Sequence, residues 1–404
     1  SGLMVLSLLI ASCAPAANPT THTTPATPVT PATPTTPVTE KPQQEAVTPA
    51  LETPKYGGTF NMLLTAEITS FDAALGNGAT IPITNEYLME HDWTKGPAGT
   101  NEGQLGSIVP DPKYMKGQLA ESWKLPAVGV MIYQIRRGIH YAINPASEAS
   151  RLVNGREITA DDIVFSVKRI ITSPKAYAYY SSPEMAKGTI VEKTGPWEVT
   201  IKTPVDPSQG FNRFFWGIGF WPQVPEVVQK YGDMGNWRNV VGTGAFMLAD
   251  YVPGSTVTLI RNPNYWDKDP IGPGKGNQLP YADAIKFIII PDVSTQMAAF
   301  RTGRIDWGSS IVPEDTRSLA KTTPRLKYVR SGENGGNGPG PNTIFMRLDK
   351  PALPLKDIRV RQALMYATDF RTIKDLFYKG DADLLAWPIA GSPSTKGVYR
   401  PVEE

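Results

Sequence analysis

The chain has 404 residues, room for two or three domains at roughly 100 to 200 residues each, with a sizeable buried core. Forty Lys plus Arg stand against 38 Asp plus Glu, and the formal charge of +2 gives no field that would favour nucleic acid or an anionic membrane. A single cysteine excludes an internal disulfide framework, and the separated His22, His91 and His140 offer no clustered metal set, so neither metal nor cofactor is expected.

Residues 3–11, Leu-Met-Val-Leu-Ser-Leu-Leu-Ile-Ala, make an apolar run of signal-peptide length, well short of the ~20 residues that span a bilayer. It ends in Ile10-Ala11-Ser12-Cys13, which resembles a bacterial lipobox: an aliphatic residue, two small residues and the cysteine that takes the lipid. That reading makes 1–12 a partial signal peptide and Cys13 the membrane tether; the alternative is a free buried cysteine closing a hydrophobic segment. The start at Ser1, with no basic residues before the apolar run, reads as a sequence whose beginning is lost. From 13 to 55 the chain is Thr, Pro and Ala with almost no large apolar side chain, so folding could not offset its entropy cost. We read it as a stalk reaching on the order of 120 Å at ~3.1 Å per residue, with threonines available for O-linked sugar.

Domain-like punctuation begins at Tyr56-Gly57-Gly58-Thr59-Phe60. Thr159-Ala160-Asp161-Asp162 predicts a capping box opening a helix with Ile163, Val164, Val167, Ile170 and Ile171 on one face. Trp197, Val199 and Ile201 alternate with Glu198, Thr200 and Lys202, the period of a half-buried strand. Phe246–Tyr251 and Thr256–Arg261 flank Val252-Pro253-Gly254-Ser255, which predicts a hairpin closed by a type II turn. Ser294–Thr302 reads as a helix closed by Gly303, and Asp357 as the cap of another with Val360, Ala363, Leu364 and Ala367 buried. These carboxylates are read as caps, not catalytic groups.

Seven segments in order then carry a family resemblance: Tyr56-Gly57-Gly58-Thr59; Leu119-Ala120-Glu121-Ser122-Trp123; Gly155-Arg156-Glu157-Ile158-Thr159-Ala160-Asp161-Asp162; Val241-Gly242-Thr243-Gly244-Ala245-Phe246; Arg261-Asn262-Pro263-Asn264-Tyr265-Trp266; Gly303-Arg304-Ile305-Asp306; and Asp357-Ile358-Arg359-Val360-Arg361-Gln362-Ala363-Leu364. The chain resembles extracellular solute-binding proteins of family 5, the dipeptide, oligopeptide and nickel-binding components of ABC importers. The segments also have plain structural uses, with a cap at Thr159, close backbone approach at Gly242 and Gly244, a turn at 262–264 and a core filler at Trp266.

The resemblance implies a mixed α/β (α+β) fold, a two-lobed class II periplasmic-binding-protein clamp with an extra inserted domain. It places the first lobe at 56–88 and 190–308, the inserted domain at 89–189 and the start of a second lobe, left incomplete, at 309–404. It implies a monomer that traps a peptide or peptide-like solute, or a nickel chelate, and delivers it to permease and ATPase subunits. Family members continue past Glu404, so the sequence reads as a C-terminally truncated fragment, without the later region where peptide-binding members meet the ligand's amino group. Tyr87, Trp93 and Trp387 are the candidate ligand contacts, with ordinary packing as the alternative for each. The Gly-rich run 332–341, before an expected strand Thr343-Ile344-Phe345-Met346, is either a crossover near the cleft or a surface loop.

A lipid-anchored hydrolase would need a nucleophile and base, yet there is no Gly-x-Ser-x-Gly elbow, His-Glu-x-x-His or P-loop, and Gly272-Pro273-Gly274-Lys275-Gly276 lacks the P-loop spacing. The chain is therefore read as a non-enzyme. A surface receptor or adhesin that uses the same fold without transport is the other alternative.

Overall fold

The computed structural model describes residues 53–384 apart from 77, 97–98, 101, 103–111, 205–209, 211–212, 216–219, 310, 329–345, 349, 381 and 383. The apolar leader, Cys13, nearly all of the stalk, the run 332–341, the strand expected at Thr343-Ile344-Phe345 and Trp387 lie outside the described residues.

In chain order the elements are β1 (Thr59–Leu64), α1 (Ile81–Thr84), β2 (Met89–His91), β3 (Met115–Gly117), β4 (Ala120–Ala127) and β5 (Val130–Ile135), then α2 (Glu148–Val153), α3 (Ala160–Thr172), α4 (Tyr177–Ser181) and α5 (Pro183–Gly188). They continue with β6 (Ile190–Gly195), β7 (Glu198–Lys202), α6 (Pro225–Tyr231), β8 (Phe246–Val252), β9 (Thr256–Arg261), β10 (Ala284–Ile289), α7 (Val293–Thr302), α8 (Pro313–Thr322) and α9 (Ile358–Tyr366).

One sheet has the order β1-β10-β9-β8, with β1 parallel to β10 and the other pairs antiparallel. β10 is apolar nearly throughout because both of its faces are covered. Ile285 and Phe287 join Phe71, Phe246, Leu248, Val257 and Leu259 on one side. Ile288 and the following Ile290 meet Leu63, Met297, Phe300, Ile305 and Leu319, bringing α7 and α8 onto the other. The expected hairpin is present: the Ser255 N–H donates to the Val252 carbonyl at 3.1 Å, and Gly254 takes φ +69°, the value that the third position of a type II turn requires. α7 is closed by Gly303 in the left-handed conformation, as its sequence predicts.

A second sheet has the order β4-β5-β7-β6, antiparallel throughout. Met131, Tyr133, Ile135, Val191, Val199 and Ile201 are buried in one cluster with Ile163, Val167, Ile170 and Ile171 of α3. Each such side chain contributes about 1.5–3 kcal/mol on leaving water. β7 pairs with β5 along Glu198–Lys202 and draws β6 with it, so this sheet takes strands from both sides of residues 189 and 190.

α9 forms with its cap, as the Asp357 side chain accepts from the Arg359 N–H at 2.9 Å. Its expected buried stripe is not buried: Val360 is half-buried, and Ala363, Leu364 and Ala367 are exposed. Capping and periodicity are local and suffice to make the helix, whereas burial needs a facing surface; the main contacts of α9 among the described residues are with the turn Pro354–Lys356.

Candidate functional site

The segment from α1 to β2 is held by backbone contacts that admit no side chain. Gly244 donates its N–H to the Thr84 carbonyl at 3.0 Å. A Cβ on Gly242 would lie 1.9 Å from the Thr84 carbonyl oxygen, and one on Gly244 would lie 2.4 Å from that of Ile83. The close approach expected of these glycines is therefore real, and its partner is the last turn of α1. The turn at Asn262 is also as expected: Asn262 is buried, its Nδ2 donates to the Gly244 carbonyl at 2.9 Å, and its Oδ1 accepts from the Asn264 N–H at 3.2 Å.

These contacts bring Tyr265 and Trp266 onto Glu86. Glu86 is 3% exposed. Its Oε1 accepts from the Trp266 Nε1–H at 2.9 Å and the Tyr265 hydroxyl at 3.1 Å. Its Oε2 is buried with no hydrogen-bond partner of good geometry, although the Thr243 side chain approaches the carboxyl group. Burial raises the Glu86 pKa from an ordinary 4.5 to about 8, with Glu90 adding repulsion and the donors from Thr243, Trp266 and Tyr265 opposing the rise. The Arg136 guanidinium lies 4.9 Å from the centre of the Trp266 ring and donates its Nε–H to the Gln118 carbonyl at 2.9 Å.

Tyr87 follows directly. Its N–H donates to Gln118 Oε1 at 2.7 Å, and its ring stacks on the buried Trp221 with centroids 5.1 Å apart and planes 35° from parallel. Burial pushes the phenol up to about 12. Trp93 begins the short turn Trp93–Lys95 after β2 and is half-buried. The Lys116 ammonium stands 5.5 Å from its ring centre while pairing with Glu90 at 3.0 Å, the residue opposite it across β2 and β3. Burial raises the Glu90 pKa against the pull of Lys116, and it lowers that of His91. Tyr87 and Trp93 thus flank one short strand and meet different partners.

Neither Glu86 nor the role of Tyr265 is among the sequence expectations, and Trp266 is expected only as a core filler. The signal that could have found the site is the one charged residue inside the otherwise uncharged stretch from Ile81 to Met89, which a buried segment accommodates only with donors nearby.

The motif Gly155–Asp162 has a structural role that its residues make plain. Arg156 bonds Asp162 through Nη1–Oδ2 (2.9 Å) and Nη2–Oδ1 (2.6 Å) and reaches Glu226 of α6 through Nη2–Oε2 at 2.8 Å. Asp162 in turn accepts from the Thr159 N–H at 2.8 Å, completing the predicted cap. Among the described residues no group of three or more His, Cys, Asp or Glu side chains could hold a metal, and no helix is long and apolar enough to cross a membrane. A cavity of ≈ 10 Å³ beside Thr84, Asn144 and Ser150 has room for a water at most.

The family described as bacterial extracellular solute-binding proteins, family 5, matches residues 115–401 through its middle region, and the chain belongs to that family. Among curated relatives, heme-binding protein A of Haemophilus influenzae is 25% identical over 285 residues, covering 65% of this chain and 46% of the relative. The probable di/tripeptide-binding protein 5 of Pseudomonas aeruginosa is 24% identical over 366 residues, covering 87% of this chain and 61% of the relative. Among solved structures, the ABC transporter-associated periplasmic binding protein DppA from Helicobacter pylori, in complex with the peptide STSA, matches with TM-score 0.61 at 19% identity, covering 86% of this chain and 64% of that one. The oligopeptide-binding protein AppA from Bacillus subtilis, in complex with a nonapeptide, matches with TM-score 0.58 at 20% identity, covering 83% and 59%. The fold is thus the mixed α/β fold of the two-lobed family 5 binding proteins. The chain spans about half the length of the curated relatives it matches.

Proposed function

We propose that this protein captures peptides or peptide-like solutes outside the cytoplasm and delivers them to the permease of an ABC importer. The observation that carries this reading is the family match over residues 115–401, and the fold shared with two proteins solved in complex with peptides supports it. Binding in this reading proceeds by closure of two lobes, as hinged domains do around a ligand. The first lobe contains the sheet β1-β10-β9-β8 and the second begins near residue 309. Because β6 and β7 share a sheet with β4 and β5, the inserted domain is best drawn to run through β7.

Cys13 is the proposed lipid attachment point, with the Thr/Pro-rich stretch as a spacer. Tyr87, Trp93 and Trp387 are the proposed ligand-facing aromatics, able to sandwich a ligand without demanding one side chain. The test is calorimetry and solution scattering on purified protein with a panel of di-, tri- and oligopeptides, heme and a nickel chelate. Peptide binding with ligand-dependent compaction is the expected outcome. Binding of heme or the chelate in place of every peptide would overturn the peptide assignment, and no binding across the panel would overturn solute capture by this chain.

A further inference from the structure

We propose that the Glu86 carboxyl group is a proton-operated latch between the segment leading into β2 and the turn Asn262–Trp266, closed while Glu86 carries a proton and loosened when the proton is lost. The two sides of the latch are 179 and 180 residues apart in sequence, and Glu86 Oε1 joins them through the Tyr265 hydroxyl and the Trp266 indole. The geometry suits a neutral acid. An ionised carboxylate shares its charge between two oxygens, and here Oε1 takes the Tyr265 and Trp266 donors while Oε2 is buried without a partner of good geometry, with only the Thr243 side chain approaching the carboxyl group. A charge left in that arrangement would be desolvated and incompletely compensated, whereas a neutral carboxylic acid keeps the bonds from Tyr265 and Trp266 at much lower cost.

The charged and titratable groups around it point the same way. Glu90 on β2 repels a charge on Glu86. Lys116 on β3 is committed to Glu90 at 3.0 Å. On the turn side, Tyr265 donates its hydroxyl, and Asp267 adds negative charge that acts on both Tyr265 and Glu90. Arg136 lies over the ring of Trp266 and donates to the Gln118 carbonyl. Burial accordingly raises the carboxyl pKa from 4.5 to about 8.

The sign follows from linkage. A group whose pKa is raised in the folded state contributes stability that is fully present below its ordinary value of 4.5 and is lost as pH rises through about 8. If local opening returns Glu86 to water, the opening constant of this seam rises about tenfold per pH unit between about 5 and 8 and levels off above.

The experiment is native-state hydrogen exchange on the full chain from about pH 5.5 to 9, with intrinsic exchange rates divided out, comparing the wild type with Glu86→Gln. The substituted amide keeps an acceptor oxygen and cannot ionise, so the variant's opening constants for the segments around Tyr87 and Trp266 are expected to be independent of pH, against the tenfold-per-unit slope of the wild type. A flat wild-type profile, or an unchanged slope in Glu86→Gln, overturns the latch. Should that variant not fold, infrared spectra of the wild type and of Glu90→Gln decide the matter. A protonated-carboxyl C=O band present in both near pH 6 and lost toward pH 9 is expected, and absence of the band near pH 6 overturns the proposal.

Discussion

Arg169 of α3 grips Asp72 with both guanidinium nitrogens, Nη1 to Oδ1 at 2.8 Å and Nη2 to Oδ2 at 2.7 Å, and the carboxylate is wholly buried. Asp72 also accepts the Ala74 N–H at 2.8 Å and the Met234 N–H at 2.9 Å, so one side chain ties three separate stretches of chain together. Removing one partner of such a pair leaves a buried charge uncompensated. Arg169→Ala and Asp72→Ala are each expected to cost about 3–5 kcal/mol in urea unfolding. An apolar double replacement, Asp72→Leu with Arg169→Met, should recover only part of that loss, because two buried N–H groups would still lack acceptors at about 1–3 kcal/mol each. Full recovery would show that the backbone bonds to Asp72 matter little.

The Arg156 centre predicts a pH dependence opposite to that of Glu86. Hydrogen bonding from Arg156 lowers the Glu226 pKa against an opposing push from burial. A depressed carboxylate contributes stability that is present above its ordinary value of 4.5 and lost as pH falls through the lowered value. Arg156→Ala should therefore flatten the acid limb of a stability–pH profile. Glu226 and Arg156 are each about one-third exposed, so solvent screening keeps that contribution small. The larger loss, about 2 kcal/mol at neutral pH, comes from leaving the buried Asp162 without its guanidinium partner. Chemical denaturation between about pH 3 and 7 checks both statements, and an acid limb unchanged in the variant would refute the first.

How much of this was legible beforehand depended on whether the cause was local. The α3 cap, the Val252–Ser255 turn and the Gly303 closure are set by neighbours a few residues apart, and the structure has each of them. The strand β7 also forms, but its alternation is incomplete, because Thr200, expected on the polar face, is buried along with Val199 and Ile201. The pairing of β6 and β7 with β5 is a long-range choice among compatible strands, which no local pattern near residue 189 announces. α9 separates the two kinds of cause: its cap formed, but its apolar stripe has no described surface to bury it. At the site, Tyr87 and Trp93 were visible as aromatics, whereas Glu86 acquires its chemistry only when residues 179 and 180 positions away donate to it.

Gly254 offers a small, clean test of the hairpin. With φ at +69°, an L side chain there meets the left-handed penalty, and little else changes because a Cβ would have no heavy atom within 4 Å. Gly254→Ala is expected to destabilise by about 1–2 kcal/mol and Gly254→Asn by less, since Asn visits this region more readily. Equal losses in thermal unfolding would mean that the backbone angle is not the cause.

Gly242 should behave quite differently, although it too is a single glycine. Its backbone conformation is not the constraint; space is, because a Cβ would sit 1.9 Å from the Thr84 carbonyl oxygen and 2.8 Å from its carbon. Those atoms belong to the backbone at the end of α1 and cannot swing aside as a flexible side chain would. Gly242→Ala must therefore push α1 away from the strand entrance at Phe246, and overpacking of this kind costs about 1–3 kcal/mol or more. The displacement would be transmitted to the next residues, Asn85 and Glu86, so the variant should also loosen the bonds from Tyr265 and Trp266. A drop in global stability accompanied by faster amide exchange around Trp266 is the expected pair of results. A loss of stability with exchange there unchanged would show that α1 and the Glu86 seam move independently.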